Sequence, residues 1–392
     1  MKPYIKPKYE MADVFSMYGS TYRNSKKLPL SDHKVMNAIV SCRTEALGGH
    51  LDKCEKCDYT KNAYNSCRNR HCPKCQGMNQ LKWIDKRVNE MLPIGYFHLV
   101  FTIPKELNSL CLMNKKALYG ILFKASSETI TMLCADKKYL GAKPGLISIL
   151  HTWGQNLMDH PHIHMIATAG GLSMFDNKWI KSSQKFFLPV KVVSKVFRGK
   201  FLALLKKQYE QKSLKLLGKN KLLKSKKNFK SLMNILYKKA WVVYTKKPFG
   251  NAAKLIKYLG KYTHRVALSN SRILDIKNQK VSFKWKDYAD NNKQKIMTLD
   301  ANEFIRRFLS HTLPKGFCEI RYYGIMANKT KKNNLILIRK ILKISLKSLY
   351  QISETWQQQL LRLTGFNVLK CPKCKEGEMH IIKIFDGYYA TG

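Results

Sequence analysis

The chain has 392 residues and carries 72 Lys and Arg against 25 Asp and Glu, a formal net charge of +47. Its 45% hydrophobic and 11% aromatic content excludes a disordered chain, and its length predicts two or three domains. So large a positive charge would repel itself without a polyanionic partner, and we therefore expect nucleic acid.

Two Cys-x-x-Cys pairs follow a basic, helical pattern at residues 1 to about 45. Cys54 and Cys57 form one pair and Cys72 and Cys75 the other, with fourteen residues between them. Two thiolates on each tight turn, joined by the intervening loop, suit the four-thiolate tetrahedral site of zinc. We therefore predict one structural zinc held by these four cysteines; a redox-active pair, the alternative, needs no second pair.

The loop between the pairs holds further side chains that bear on this site. Cys67 and His71 are spare zinc ligands, so an exchange of ligands or a second metal stays open. Arg68 and Arg70 place cations beside the metal-held loop, where they contact either DNA or solvent. We expect these two arginines to contact DNA.

Helical and strand-like patterns alternate over the next ninety residues. A β-branched and aromatic run stopped by Pro104 is typical of a buried strand. The predicted elements are helices at 80–92 and about 105–135, and strands at 96–103, 146–152 and 162–168.

The last of these strands carries His162 and His164. Side chains alternate along a strand, so both imidazoles point to one face and Ile163 points to the other. Two imidazoles on a rigid strand make a bidentate site for a divalent metal, although two solvent-exposed histidines fit the same pattern. The strand is therefore a candidate metal site.

A third ligand to this metal depends on how the strand pairs. A hairpin turn at 158–159 would place Gln155 directly opposite His162 and add an oxygen ligand. His160, two residues before His162, competes for the same place, and His151 is further away. We predict Gln155.

The chain from about 191 to 245 is helical in pattern and very basic. Residues 206–230 contain ten Lys and a single Glu. These charges either face solvent on a helical hairpin or follow a phosphate backbone, and we favour the phosphate contact.

A predicted helix at 252–263 carries Tyr258 and Tyr262, four residues apart and so on one helix face. Tyrosines at this spacing can simply pack, but beside a metal site they are candidate nucleophiles. A divalent metal, with Lys257 and Lys261 nearby, would favour the phenolate. Attack on a phosphodiester conserves its energy in a phosphotyrosine, which agrees with the absence of a Walker-type phosphate loop.

The C-terminal part mixes helical and strand-like patterns and ends with a third Cys-x-x-Cys pair. Cys371 and Cys374 have no second pair after them, so they form a half-site for zinc, with His380 as a potential third ligand. The predicted elements are strands at 265–268, 281–285 and 318–323 and helices at 302–310 and 329–350.

Four segments, in this order, resemble the two-tyrosine rolling-circle transposases of bacterial insertion sequences, which belong to the HUH endonuclease superfamily. They are the cysteine segment ending NSCRNRHCPKCQ, HTWGQNL with HPHIH, YLGKYTHRVALSNSRI, and EFIRRFLSHTLPKGFCEIRYYG. The resemblance covers roughly residues 30 to 330. It implies an α+β fold with an HUH-type antiparallel sheet flanked by helices, an N-terminal zinc-binding domain and a basic helical C-terminal region. The expected domains are 1–92, 93–325 with a Lys-rich helical insertion at about 191–245, and 326–392.

The resemblance also implies a reaction and its cofactors. Mg²⁺ or Mn²⁺ would be held by His162 and His164, with Gln155 in the slot of a third ligand. Tyr258 and Tyr262 would act in turn: one cleaves single-stranded DNA at an element end and stays on the 5′ phosphate, and the other permits a later strand transfer. The partners are single-stranded DNA at transposon ends and target DNA, which we expect to be contacted by Lys257, Lys261 and Arg265.

Two other functions fit part of this pattern. A plasmid rolling-circle replication initiator or relaxase shares the chemistry, but the zinc segment and the order of the motifs disfavour it. A non-catalytic zinc-dependent DNA-binding protein would need its histidines and tyrosines only for packing. We expect a cytoplasmic, nucleoid-associated protein without membrane contact, because no apolar stretch approaches the roughly 18 residues of a membrane span. The sequence leaves the oligomeric state open.

Overall fold

The computed structural model describes residues 7–183, 187–249, 256, 258, 260, 263, 266–345 and 354–388. The predicted α+β class is confirmed, because helices flank antiparallel sheets. Within the described ranges, no helix is long and apolar enough to cross a membrane.

Helices and strands alternate in groups along the chain. The helices are α1 Met11–Ser25, α2 Leu30–Ser41, α3 Gln76–Glu90, α4 Asn108–Met113, α5 Lys115–Ala135, α6 Val190–Glu210, α7 Lys226–Lys238, α8 Ala301–Ser310, α9 Lys331–Ile341 and α10 Trp356–Thr364. The strands are β1 Gly49–Cys54, β2 Thr60–Tyr64, β3 Tyr96–Thr102, β4 Ala142–Trp153, β5 Asp159–Ser173, β6 Trp179–Lys181, β7 Val243–Phe249, β8 Ile273–Lys277, β9 Lys280–Asp287, β10 Lys293–Asp300, β11 Ile320–Gly324 and β12 Met379–Phe385.

The central sheet has the strand order β11-β4-β5-β3-β7, with β6 paired to β5, and neighbouring strands are antiparallel. Because side chains alternate between its faces, Leu99, Phe101 and Ile163 point together into an apolar core with α5, α6 and α7. The opposite face carries histidines of β3, β4 and β5 and packs against α3 and α9. The sheet thus separates an apolar face from a histidine-bearing face.

A second core joins the N-terminal helices to a segment far along the chain. Helices α1 and α2 pack on α8 and on the three-stranded sheet β10-β9-β8. The rings of Phe15 and Phe308 meet edge to face at 5.7 Å, and the Met11 amide donates to Asn270 Oδ1 at 3.1 Å. The N-terminal helices therefore share their core with residues 266–310.

The third sheet joins the β1–β2 hairpin of the cysteine segment to β12 near the C-terminus. Its order is β12-β1-β2, with Cys54 opposite Met379 and Lys53 opposite His380. The C-terminal region, which was expected to be helical, contains α9 and α10 and also the strand β12, which completes the sheet of the cysteine segment.

The predicted strands at 96–103, 146–152 and 162–168 are confirmed as β3, β4 and β5, the last two longer than predicted. The predicted strand at 265–268 is wrong: residues 266–268 lie outside the strands, and Arg265 lies outside the described residues. In the predicted 252–263 helix, Ile256, Tyr258 and Gly260 are helical, and Thr263 lies in a turn.

Candidate active site and metal centres

Three histidines converge on one face of the β4–β5 hairpin. His151 on β4 pairs directly with His162 on β5, and His164 lies two residues further along the same strand. Their side chains are only 4%, 9% and 8% exposed, respectively. One ring nitrogen from each lies within 4.8 Å of the others. The alternation of β5 therefore brings His162 and His164 together as predicted, and pairing with β4 adds His151.

Hydrogen bonds orient the imidazoles of β5. His162 Nδ1 donates to the carbonyl of His160 at 2.6 Å, and His164 Nδ1 lies 2.9 Å from Nε2 of His98 on β3. This leaves the two Nε2 atoms facing each other at 3.1 Å, close to the about 3.0 Å between adjacent ligands of an octahedral ion. With partners on their far nitrogens, as metal-binding histidines generally have, the residues present fit a divalent cation.

Burial keeps these imidazoles uncharged. It lowers the pKa of His162 and of His164 well below the ordinary value of 6.5, and neighbouring imidazoles lower both further. Burial, with the charge of Lys246, lowers the pKa of His98 to about 4. Neutral imidazoles keep the lone pair that a metal requires.

The predicted register of the hairpin is wrong, because His151 and not Gln155 lies opposite His162. The turn spans 154–158 instead of 158–159: the Gly154 amide donates to the Met158 carbonyl at 2.8 Å, and Leu157 adopts a left-handed φ of 62°. Gln155 therefore lies in the loop, where its Nε2 donates to the Tyr288 hydroxyl at 3.3 Å. Gly154 and Asn156, residue types typical of turns, are the signals that would have placed the loop here.

Tyr258 lies next to the histidines. Its ring is 5.8 Å from the ring of His98, edge to face, and the Lys246 ammonium is 5.5 Å from its centroid. The second predicted tyrosine, Tyr262, lies outside the described residues, as do Lys257, Lys261 and Arg265.

Helix α3 supports the backbone beside Tyr258. Gln80 donates to the carbonyls of Gly260 and Thr263, the latter at 3.2 Å. A side chain at Gly260 would collide with Ile84. The helix begins at Gln76, directly after Cys75, so the cysteine segment is physically joined to the support of this tyrosine.

The cysteines form two clusters, and the predicted single site is wrong. Cys54 and Cys57 do not meet Cys72 and Cys75. Each pair instead meets a different pair of partners. The first cluster contains Cys42, Cys67, Cys72 and Cys75, and the second contains Cys54, Cys57, Cys371 and Cys374.

The β1–β2 hairpin explains the separation of the two pairs. It carries Cys54 and Cys57 to its far end, while its return brings Asn65 beside Arg43, whose amide donates to the Asn65 carbonyl at 3.0 Å. The chain after the hairpin thus reaches Cys42 at the end of α2. In this first cluster Cys75 Sγ lies 3.5 Å from Cys42 Sγ and 3.6 Å from Cys67 Sγ.

The other predicted residues of the loop have separate roles. His71 is not part of either cluster, because its Nε2 accepts from the Leu313 amide at 3.3 Å. Arg70 donates to the Phe317 carbonyl at 2.6 Å and so joins the loop to the segment before β11. Arg68 is exposed and adopts a left-handed φ of 52°.

Comparison with known proteins shows two matched regions, which contain the three histidines, Tyr258 and the first cysteine cluster. A family described as putative transposase matches residues 145–334, and a transposase zinc-binding domain matches residues 14–103. The putative transposase y4qJ of Sinorhizobium fredii (strain NBRC 101917 / NGR234) is 42% identical over 381 residues, 96% of each chain. The transposase for insertion sequence element IS801 of Pseudomonas savastanoi pv. phaseolicola is 26% identical over 318 residues, 80% of this chain and 74% of that protein. No solved structure matches the chain.

Proposed function

This chain belongs to the putative transposase family that carries a transposase zinc-binding domain, and from that premise we propose that it cleaves and rejoins single-stranded DNA at insertion-sequence ends by rolling-circle transposition. The proximity of Tyr258 to the buried histidine face is the observation that carries this proposal. The nucleophile and the candidate metal ligands come from matched residues 145–334.

The reaction we propose is a transesterification at phosphorus. The Tyr258 hydroxyl oxygen attacks a backbone phosphate, and the bond from phosphorus to the 3′ oxygen breaks. The leaving oxygen takes the electron pair and gains one proton, while the phenol loses one. The product is a 5′-phosphotyrosine with a free 3′-OH, so no nucleotide hydrolysis is needed. Attack by a 3′-OH on that phosphotyrosine reverses these changes and joins strands.

His151, His162 and His164 are the residues that would hold Mg²⁺ or Mn²⁺. The bound ion would polarise the scissile phosphate and stabilise negative charge on the leaving oxygen. His98 positions the His164 ring through the contact to Nδ1. Lys246, over the Tyr258 ring, adds positive charge where the phosphate must approach.

The first cysteine cluster would hold the zinc of the matched domain. All four of its cysteines lie within residues 14–103. Because α3 starts at this cluster and supports the backbone at Gly260 and Thr263, the zinc would also position the tyrosine segment. The Lys and Arg side chains behind the net charge of +47 would contact phosphates and position the DNA without reading its sequence.

A covalent-adduct assay tests the nucleophile. The full chain is incubated with Mn²⁺ and a single-stranded oligonucleotide carrying an element end, and protein that stays attached to DNA in SDS is measured. We expect the Tyr258→Phe, Tyr262→Phe double variant to form no adduct while binding the oligonucleotide as the wild type does. Tyr237→Phe, at an exposed position on α7, is the matched control and should form the adduct.

An adduct in the double variant would exclude both tyrosines as nucleophiles. DNA binding by the wild type without any adduct would instead identify a non-catalytic zinc-dependent DNA-binding protein. Joining of the cleaved end to a second, target oligonucleotide distinguishes a transposase from a protein that only nicks DNA.

A further inference from the structure

The second cysteine cluster brings Cys54 and Cys57 together with Cys371 and Cys374, and we propose that it binds a second zinc ion that fastens residues 354–388 to the β1–β2 hairpin. Two of its ligands, Cys371 and Cys374, lie outside the matched zinc-binding domain at residues 14–103. Neither Cys-x-x-Cys pair completes a four-ligand site without the other.

The spacing of the sulfur atoms fits a tetrahedral ion. Cys54 Sγ lies 3.8 Å from Cys374 Sγ, and Cys57 Sγ lies 3.7 Å from Cys371 Sγ. A tetrahedron with zinc–sulfur bonds of about 2.3 Å has edges of about 3.8 Å. Disulfides would need about 2.05 Å, and all four cysteines are free thiols.

A backbone amide approaches the first sulfur of each pair. The amide of Lys56 donates to Cys54 Sγ, and the amide of Lys373 donates to Cys371 Sγ, each at 3.4 Å. The two pairs thus repeat one local geometry, with the amide two residues on pointing at the first sulfur.

The β1–β12 pairing and Gly377 allow the two Cys-x-x-Cys pairs to approach each other. The pairing of β1 with β12 places Cys54 opposite Met379, and the Glu55 amide donates to the Glu378 carbonyl at 3.1 Å. A Cβ at Gly377 would stand 2.7 Å from Cys54 Sγ, so only glycine allows this approach. His380 is not a ligand, because its Nε2 lies 3.2 Å from Glu55 Oε2.

The C-terminal segment buries few of its own residues. In the described range 354–388, the buried residues are Cys371, Gly377 and Met379, and α10 buries no residue. Besides the pairing of β12 with β1, the segment is held by the exposed ion pair of Arg362 with Asp85 on α3, at 2.7 and 3.0 Å, which solvent weakens. Four soft thiolates select zinc over Mg²⁺ or Mn²⁺ and leave no open position, so the proposed ion is structural.

Metal analysis of the purified full chain tests this site. We expect two zinc ions per chain in the wild type and one in the Cys371→Ser, Cys374→Ser variant. Limited proteolysis should release peptides from 354–388 at least tenfold faster in that variant, because the segment has lost its fastening. Cys318→Ser, which alters an exposed cysteine outside both clusters, should keep two zinc ions and the wild-type cleavage rate.

A measurement on the wild type covers the case in which the variant does not fold. The chelator-treated chain is titrated with Co²⁺, and thiolate-to-cobalt absorption should rise until two equivalents are bound. One equivalent of cobalt, one zinc in the wild type, two zinc ions in the double-serine variant, or iron in place of zinc would each overturn the proposal. These measurements use the protein without DNA, so their outcome does not depend on whether the proposed cleavage occurs.

Discussion

The cysteine clusters and the histidine cluster differ in how completely their ligands surround a metal. Each cysteine cluster offers four sulfurs, enough to close a tetrahedral shell. The histidine cluster offers three imidazoles from one face of a hairpin, with Tyr258 beside that face. A closed shell can only support the fold, whereas an incomplete shell leaves positions for a substrate. In the proposed function, the cysteine clusters therefore serve stability and the histidine cluster serves the reaction.

The clusters also differ in how the chain assembles them. The histidines come from two neighbouring strands, whose hydrogen-bonded ladder fixes His151 opposite His162. The second cysteine cluster joins residues 320 positions apart. A rigid hairpin suits ligands that must present an ion to a substrate, and long-range ligands suit an ion that ties segments together.

Removing the first cysteine cluster should have the largest effect. Replacing Cys72 and Cys75 with Ala removes two thiolates, and Cys72 is fully buried against the core of α1 and α2. Structural zinc contributes on the order of 10 kcal/mol in zinc-finger peptides, comparable to the whole stability of a domain. We expect loss of one zinc and of cooperative unfolding, measured by metal analysis and thermal denaturation. Cys318→Ala should retain both, and a variant that keeps its zinc and melting temperature would contradict the assignment of this cluster.

Replacing His162 and His164 should slow the reaction strongly but keep the fold. We expect His162→Ala with His164→Ala to lower the cleavage rate about 10³-fold, because a metal ion stabilises transition-state charge by several kcal/mol. Zinc content should not change, and DNA affinity should persist because Lys and Arg contacts to phosphate dominate binding. Cleavage assays and filter binding measure the two effects, with His33→Ala on α2 as the control. Unchanged cleavage would exclude the histidine face as the metal site.

The smallest predicted effect concerns His311, a buried histidine that contacts the loop of the β4–β5 hairpin. His311 lies 3.1 Å from the Leu157 carbonyl and 3.2 Å from Thr152 Oγ1. Burial lowers its pKa from 6.5 to about 4. The unfolded chain therefore takes up this proton first, and stability falls as pH drops from about 6.5 towards 4. At pH 5 the loss is about 2 kcal/mol relative to pH 7.5.

Urea unfolding at pH 7.5 and pH 5 measures this loss of stability. His311→Gln should reduce the loss of stability between pH 7.5 and 5 by about 2 kcal/mol. The same pH dependence in wild type and variant would show that His311 does not contribute.

Local patterns predicted the parts of the site that depend on one element. Alternation along β5 places His162 and His164 on one face, because a strand has a repeat of two. The expectation of a zinc-binding segment is confirmed by the matched domain. The hairpin register was wrong by several residues, since a five-residue loop and a two-residue turn leave the same alternation on each strand. Strands β7, β8 and β10 were missed because they are partly exposed and lack a continuous apolar run.

The sequence by itself determined which residues could act as ligands and nucleophiles, because side-chain chemistry is a property of each residue and periodicity depends only on residues a few positions apart. Only the tertiary structure decided which of them meet. Cys54 and Cys57 lie near Cys72 in sequence, yet the β1–β2 hairpin carries them away, and the pairing of β12 with β1 supplies Cys371 and Cys374 instead. His151 lies opposite His162 in place of Gln155 for the same reason. Contacts between distant segments depend on strand pairing and packing across the whole chain, which no local spacing specifies.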